Sequence, residues 1–313
     1  MLAYAVRRIV AVIPVALTVV VFVFLLLRVT PGDPAAVIAG DTANAQQIAH
    51  VRQALGLDRP IYEQFVIWAG QLARGDLGHS VFSNVPVTTL IAQRIGPTLA
   101  LAVTAMLFAS ALAIPLGVLA AARAGSLVDR VVMLFAVLAF SLPVFWIGYA
   151  LVLVFAVAWR LLPVQGYADL SQGLGPFLAH ITLPGVTLGL AFMALLARVT
   201  RSAMLEVLGQ DYIRTARAKG VSRAKILFVH ALKNAAVPIV TTFGLGFGLL
   251  VGGAVITESV FAIPGLGRLT VDSILTKDYP VIQGLILFFA GIYVLLNLAI
   301  DLSYSLLDPR IRP

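Results

Sequence analysis

Six apolar stretches bracketed by charge organise the 313-residue chain: Ile9 to Val29, Thr98 to Ala122, Val131 to Trp159, Ile181 to Ala197, Pro238 to Thr257 and Val281 to Ser303. A helix of about 20 such residues crosses a hydrocarbon core of about 30 Å. With 60% of residues hydrophobic and 12% charged, too little polar surface is available for a soluble globule. The reading is an all-α membrane protein with six transmembrane helices.

The net charge of +8, from 22 Lys and Arg against 14 Asp and Glu, would suggest nucleic acid in a soluble chain. Its distribution points to membrane lipid instead, and no nucleic-acid partner is inferred. An even number of spans puts both termini on one side. That side carries fourteen of the 22 basic residues and five acidic ones, while the opposite side carries eight basic and nine acidic residues. The excess of Lys and Arg makes both termini cytoplasmic. Arg7 and Arg8 before an apolar run resemble a signal peptide, but the 19 residues between Arg8 and Arg28 exceed its apolar region of about 7–15, so a retained anchor is expected. Cysteine is absent, which excludes disulfides, thiol nucleophiles and Cys-based metal sites.

Residues Thr30 to Pro97 form the substantial outer segment, with Tyr62, Phe65, Ile67 and Trp68 available to fold against the outer helix ends. A helix is expected from Thr42 to Leu55, closed by Gly56, and another after Pro60, followed by the turn Gly75-Asp76-Leu77-Gly78. The chain divides accordingly into residues 1–97, an anchor plus extracytoplasmic segment, and 98–313, a five-helix core with a cytoplasmic loop at 198–236. Pro115 and Pro143 each remove a backbone hydrogen bond and are read as packing kinks.

Between Arg198 and Lys233 eight basic residues accompany only Glu206 and Asp211. Apolar and basic residues interleave there, and Gly220 supplies a break, so two short helices meeting at Gly220 are inferred. Their pattern suits docking on a protein partner and lying on anionic lipid equally well. Gly244, Gly246, Gly248, Gly252 and Gly253 in the fifth span have neither the strand nor the Lys-Ser/Thr end of a phosphate loop. They serve close helix packing or line a pathway. Glu258 and Asp301 lie near span ends as interfacial or ion-paired groups, and Asn297 is positioned to bond across helices. His50, His79, His180 and His230 are scattered, and no catalytic or metal motif is present, so no catalytic residue or metal ligand is assigned.

The run Asp211-Tyr212-Ile213-Arg214-Thr215-Ala216-Arg217-Ala218-Lys219-Gly220, followed by His230-Ala231-Leu232-Lys233-Asn234-Ala235, resembles the cytoplasmic loop of ABC importer permeases, more narrowly the dipeptide, oligopeptide and nickel branch. Other blocks fit in order: Arg7-Arg8, Pro31-Gly32-Asp33-Pro34, Leu55-Gly56-Leu57-Asp58-Arg59-Pro60 and Gly75-Asp76-Leu77-Gly78-His79-Ser80. So do Gly252-Gly253-Ala254-Val255, Glu258, Phe261, Pro264-Gly265-Leu266-Gly267, Asp278-Tyr279-Pro280, Gln283-Gly284, Asn297-Leu298 and Asp308-Pro309-Arg310-Ile311-Arg312. Where such permeases in general carry Glu-Ala-Ala six residues before the loop glycine, this chain has Arg214-Thr215-Ala216, so a Glu-mediated ion pair with the ATPase is not carried over.

The resemblance implies a type I ABC importer permease fold with an extracytoplasmic insertion after the first helix, in the bacterial inner membrane, as the first permease of a pair. It assigns Asp211, Tyr212, Arg214, Thr215, Ala216, Arg217, Ala218, Lys219 and Gly220 to a coupling helix on a cytoplasmic ATPase, and makes Gly244, Gly248, Gly252 and Glu258 candidates for the translocation pathway. Implied partners are a second homologous permease, two ABC ATPase subunits or domains that bind ATP and Mg, and an extracytoplasmic solute-binding protein that docks on Thr30 to Pro97 and Thr257 to Pro280. The solute class is short peptides. An ion-coupled transporter would carry midplane charges and an internal repeat, and an intramembrane hydrolase would carry a nucleophile with its base; neither pattern is present.

Overall fold

The computed structural model describes residues 2–29, 34–39, 43–54 and 56–307. Pro31, Gly32, Asp33, Thr42, Leu55 and the block from Asp308 to Arg312 lie outside them. Among the described residues regular structure is helical, apart from one isolated antiparallel bridge between His79 and Pro86. The helices are α1 (Leu2–Val29), α2 (Pro34–Ala39), α3 (Ala45–Ala54), α4 (Ile61–Ala73), α5 (Val87–Ala122), α6 (Leu127–Ser141) and α7 (Val144–Leu151). A π-helical stretch, Val152–Ala158, prolongs α7. Then come α8 (Leu174–Leu208), α9 (Asp211–Ala218), α10 (Arg223–Lys225), a second π-helical stretch (Ile226–Ala231), α11 (Leu232–Asn234), α12 (Ala236–Val260), α13 (Leu266–Thr276) and α14 (Tyr279–Leu307).

Three described segments, Val87–Ala122, Leu174–Leu208 and Tyr279–Ala299, are long and apolar enough to cross a membrane, and two bent pairs bring the number to five if each pair is one span. The predicted first span falls in α1, whose described apolar part is Ile13–Leu25. The third span departs from the expected kink: α6 and the helix from Val144 meet at 102°. Leu142, held extended ahead of Pro143, cannot continue α6, and Pro143 leads directly into the first turn of α7. Pro97 and Pro115, by contrast, sit inside an uninterrupted α5.

The chain forms two compact units, one of Met1–Ile95 with Leu269–Leu298, the other of Gly96–Arg268 with Ala299–Pro313. In the second unit α8 is the central element, with 56% of its apolar window buried. It meets α5 almost backbone to backbone. A Cβ on Gly185 would lie 2.7 Å from Thr104 Cγ2, one on Gly189 2.7 Å from the Ala105 carbonyl oxygen, and one on Gly117 2.6 Å from Thr200 Cβ. On another side of α8, a Cβ on Gly246 of α12 would overlap the Phe192 ring, and one on Gly253 would lie 2.9 Å from Leu188 Cδ1. Ala105, Ala109 and Ala113, buried at four-residue intervals on α5, continue this small-residue seam.

In the first unit, Asn44 and Gln47 cap α3 reciprocally, each backbone N–H donating over 2.9 Å to the other's side chain. Helix α3 therefore begins at Ala45 rather than at the expected Thr42. Gly56, at φ +64°, closes it as expected. Phe24 of α1 packs edge-on against Phe65 of α4, with ring centroids 5.0 Å apart, and lies 5.6 Å from Trp68. Two family-like blocks far apart in sequence also meet here: Ser80 donates to Asp278 over 2.5 Å, and Gly78 packs on Pro280. Gln283 donates to the Val23 carbonyl at 3.3 Å. Asn297, expected to bond across helices, donates to the Tyr293 carbonyl one turn back on α14 and to no other helix among the described residues.

These contacts predict opposite signs for two glycine substitutions. Gly117→Val, forced against Thr200 and the Ala197 carbonyl, should destabilise the protein by about 1–3 kcal/mol. Gly70→Ala, in helix α4 with nothing within 4 Å of its Cβ, should stabilise it by about 0.5–1 kcal/mol. Thermal unfolding in mild detergent checks both.

Candidate coupling site

Helix α8 runs past the predicted end of its span at Ala197 to Leu208, because Thr200, Ala203 and Met204 stay buried as it leaves the apolar stretch. The basic segment is therefore partly a continuation of a membrane helix. Two residues, Gly209 and Gln210, separate it from α9. Ile213 is the only fully buried side chain of α9. Asp211, Tyr212, Arg214, Thr215, Arg217, Ala218 and Lys219 are exposed, and Ala216 is half-buried. The amphipathic pattern thus leaves a polar ridge on the surface, with one apolar peg holding it down. The Asp211–Arg214 pair, 3.1 Å apart and open to solvent, adds little stability.

Gly220 ends α9 in the left-handed region, at φ +76°. The Val221 N–H reaches the Ala216 carbonyl at 3.2 Å and the Gly220 N–H that of Arg217 at 3.0 Å, the paired bonds of a Schellman closure. Nothing lies within 4 Å of a Cβ built on Gly220, so its requirement is conformational, not spatial. The chain resumes at α10, and Ile226 and Ala231 return to the core. Helix, left-handed turn and helix form one knuckle, as the interleaved sequence suggests.

Two arginines tie this region to the turn between α5 and α6. Arg201 grips Asp129 through two bonds, Nε to Oδ1 at 2.6 Å and Nη2 to Oδ2 at 2.8 Å. Asp129 also accepts from the Gly125 N–H at 2.9 Å, and Ser126 caps α6 by accepting from the Asp129 N–H. Arg223 donates to the Ala122 carbonyl at 2.7 Å. A cleft of about 670 Å³ separates the last turns of α5 and α8 from the knuckle, walled by Leu205, Leu208, Val221 and Ile226 and edged by Arg217 and Arg223. Sequence reasoning gave neither Asp129 nor Arg201 a role. The legible signal was Ser126-x-x-Asp129, a helix-start pattern; its partner 72 residues away leaves no local trace.

On α12 the glycines divide by helical phase. Gly246 and Gly253 contact α8, whereas Gly252 has nothing within 4 Å, and Gly244, Gly248 and Gly252 share a face by their four-residue spacing. Glu258 is fully buried. It accepts from Thr98 Oγ1 at 2.6 Å and from the Arg268 N–H at 2.9 Å, while Thr98 in turn accepts from the Leu266 N–H at 2.8 Å. A Cβ on Gly265 would overlap the Glu258 carboxylate, and one on Gly267 would lie 2.5 Å from Val255 Cα. Pro264-Gly265-Leu266-Gly267 is therefore shaped to wrap a buried acid. Among the described residues no group of three or more His, Asp or Glu could hold a metal ion.

Asp129→Asn, which takes the charge from the Arg201 fork, should unfold earlier than the parent by about 1.5–3 kcal/mol. Paired melting curves in mild detergent check it.

Residues 113–313 match the family model described as binding-protein-dependent transport system inner membrane component, and residues 1–102 match the model of its N-terminal part. A probable peptide ABC transporter permease protein, y4tP, of Sinorhizobium fredii (strain NBRC 101917 / NGR234) is 52% identical over 99% of this chain and 99% of its own. The dipeptide transport system permease protein DppB of Escherichia coli K12 is 40% identical, over 100% of this chain and 99% of its own. The glutathione transport system permease protein GsiC of the same strain is 45% identical over the same shares. A solved chain of the MetNI methionine ABC transporter, inward facing, superposes with a TM-score of 0.58 at 21% identity, covering 71% of this chain and 97% of that one, which shows the fold. The chain belongs to the family of inner membrane components of binding-protein-dependent transport systems.

Proposed function

We propose that this chain is one membrane permease of an ATP-driven importer that carries short peptides from an extracytoplasmic solute-binding protein to the cytoplasm. The observation that carries the reading is the α9 knuckle: a polar ridge pegged by Ile213, closed at Gly220 and joined through two residues to the buried helix α8. A docking element must be short, rigid and tethered to a spanning helix, and this one is all three. Relatives named for peptide, dipeptide and glutathione transport support the solute class.

In this reading Asp211, Tyr212, Arg214, Thr215, Ala216, Arg217, Ala218, Lys219 and Gly220 seat on an ATPase. ATP and Mg are bound there, by two partner subunits or domains. A second, homologous permease completes the membrane body, and both termini of this chain face the cytoplasm. Residues 1–97 serve as anchor and outer segment, and residues 98–313 as the translocating core. Thr30 to Pro97 and Thr257 to Pro280 receive the binding protein. The α12 face of Gly244, Gly248 and Gly252 borders the solute route, and Glu258 shapes its outer end by holding the loop that wraps it.

Affinity purification of the tagged chain in mild detergent, with mass spectrometry and an ATPase assay, tests the reading. Recovery of a second permease with ATP-hydrolysing subunits supports it. A chain that purifies alone and moves solute down an ion gradient in liposomes overturns it. Within the assembled complex, Gly220→Val should insert normally yet lower ATP-dependent uptake by about tenfold, since a β-branched residue is strained at positive φ. Full uptake by that variant would move the coupling element elsewhere.

A further inference from the structure

The knuckle is joined covalently to α8 through Gly209 and Gln210 and, through the π-helical stretch and α11, to α12. No covalent link connects it to α5 or α6, yet a transport body must move its spans together. The structure supplies two links to the α5–α6 turn, one from the end of α8 and one from the knuckle itself. Arg201, seven residues before the end of α8, holds Asp129 in the first turn of α6 with both of its hydrogen bonds directed along the guanidinium fork. Arg223, at the start of the helix that follows Gly220, donates to the carbonyl of Ala122, the last residue of α5. The α5–α6 turn is thus fastened on both of its sides.

The turn itself has little slack. Gly125 donates to Asp129, Ser126 caps α6, and Asp129 is 4% exposed. Along the α5–α8 seam, Gly117 admits Thr200 and the Ala197 carbonyl at a separation that leaves no room for a side chain. An ion pair with one buried and one half-buried partner is weak evidence for stability, because an apolar pair of similar volume often holds helices as well. What a bidentate arginine adds is direction: the planar fork fixes one orientation of its helix against the carboxylate.

We propose that Arg201 and Arg223 are positioning residues that lock the α5–α6 turn, Arg201 to the end of α8 and Arg223 to the knuckle, so that displacement of α9 is delivered to α5 and α6 as well as to α8 and α12. The inference rests on the importer reading and deepens it. Each arginine acts through the turn it holds.

The test is the number of solute molecules moved per ATP hydrolysed by the purified, assembled transporter in liposomes, measured with a dipeptide and the cognate binding protein. Arg201→Gln should lower that ratio by about fivefold or more, within the usual span of coupling energies. Arg201→Lys, which keeps the charge and loses the fork, should fall between it and the parent. Exchanging the partners, Asp129→Arg with Arg201→Asp, should recover part of the loss. Arg223→Gln, at an exposed site, should lower the ratio without removing a buried charge.

A merely structural role would reduce the amount of assembled complex, and with it transport and hydrolysis together, leaving the ratio unchanged; that result overturns the proposal. If Arg201→Gln does not assemble, an unchanged ratio in Arg223→Gln overturns it equally. A parent complex that assembles but moves no dipeptide overturns the importer reading along with it. A working parent with unaltered ratios in both variants overturns this inference alone.

Discussion

The approach of α5 and α12 to α8, close enough that glycine is required at the contacts, is the constraint on which the rest of the core depends. In a bilayer no solvent-driven burial pulls apolar helices together, so contact area and small residues have to do it. Gly117, Gly185 and Gly189 admit α5 and α8 to each other, and Gly246 and Gly253 admit α12. With α5 at backbone distance and α12 closed over the Phe192 and Leu188 side chains, α8 has little freedom to rotate or slide by itself. It can then carry an extension beyond its apolar stretch through Leu208 without a hinge, and the position of α9 follows from that of a buried rod.

Much of this was legible in the sequence because hydrophobicity and punctuation are local. The apolar stretches locate the long helices, Gly56 and Gly220 mark left-handed closures, and interleaved basic and apolar residues after Gln210 announce two short helices. The break at Pro143 was underestimated for a physical reason. A proline states that a hydrogen bond is missing, but whether the helix bends or stops depends on the residue before it, here Leu142 in an extended conformation. The same logic runs in reverse for Pro97 and Pro115, which α5 accommodates without interruption.

Long-range polar contacts were the illegible part. Glu258 reads as an end-of-span acid, and Pro264-Gly265-Leu266-Gly267 as a turn; only in space does the acid become the centre about which the turn folds, with Thr98 from α5 completing it. Asp129 with Arg201, and Ser80 with Asp278, likewise join residues that no periodicity relates. Each supplies a buried carboxylate with donors, which an apolar surrounding demands of any acid it encloses. Sequence blocks that look like separate motifs are therefore halves of single structures.

The π-helical stretch at Ile226–Ala231 sits between the knuckle and α12. Its i→i+5 bonding takes up one more residue per turn than an α-helix would. One residue is about 100° of rotation in the helix that follows. The chain accordingly reaches the 60° bend ahead of α12 turned by a surplus residue, so the direction from which α12 starts depends in part on a segment separate in sequence from both of its glycine sets.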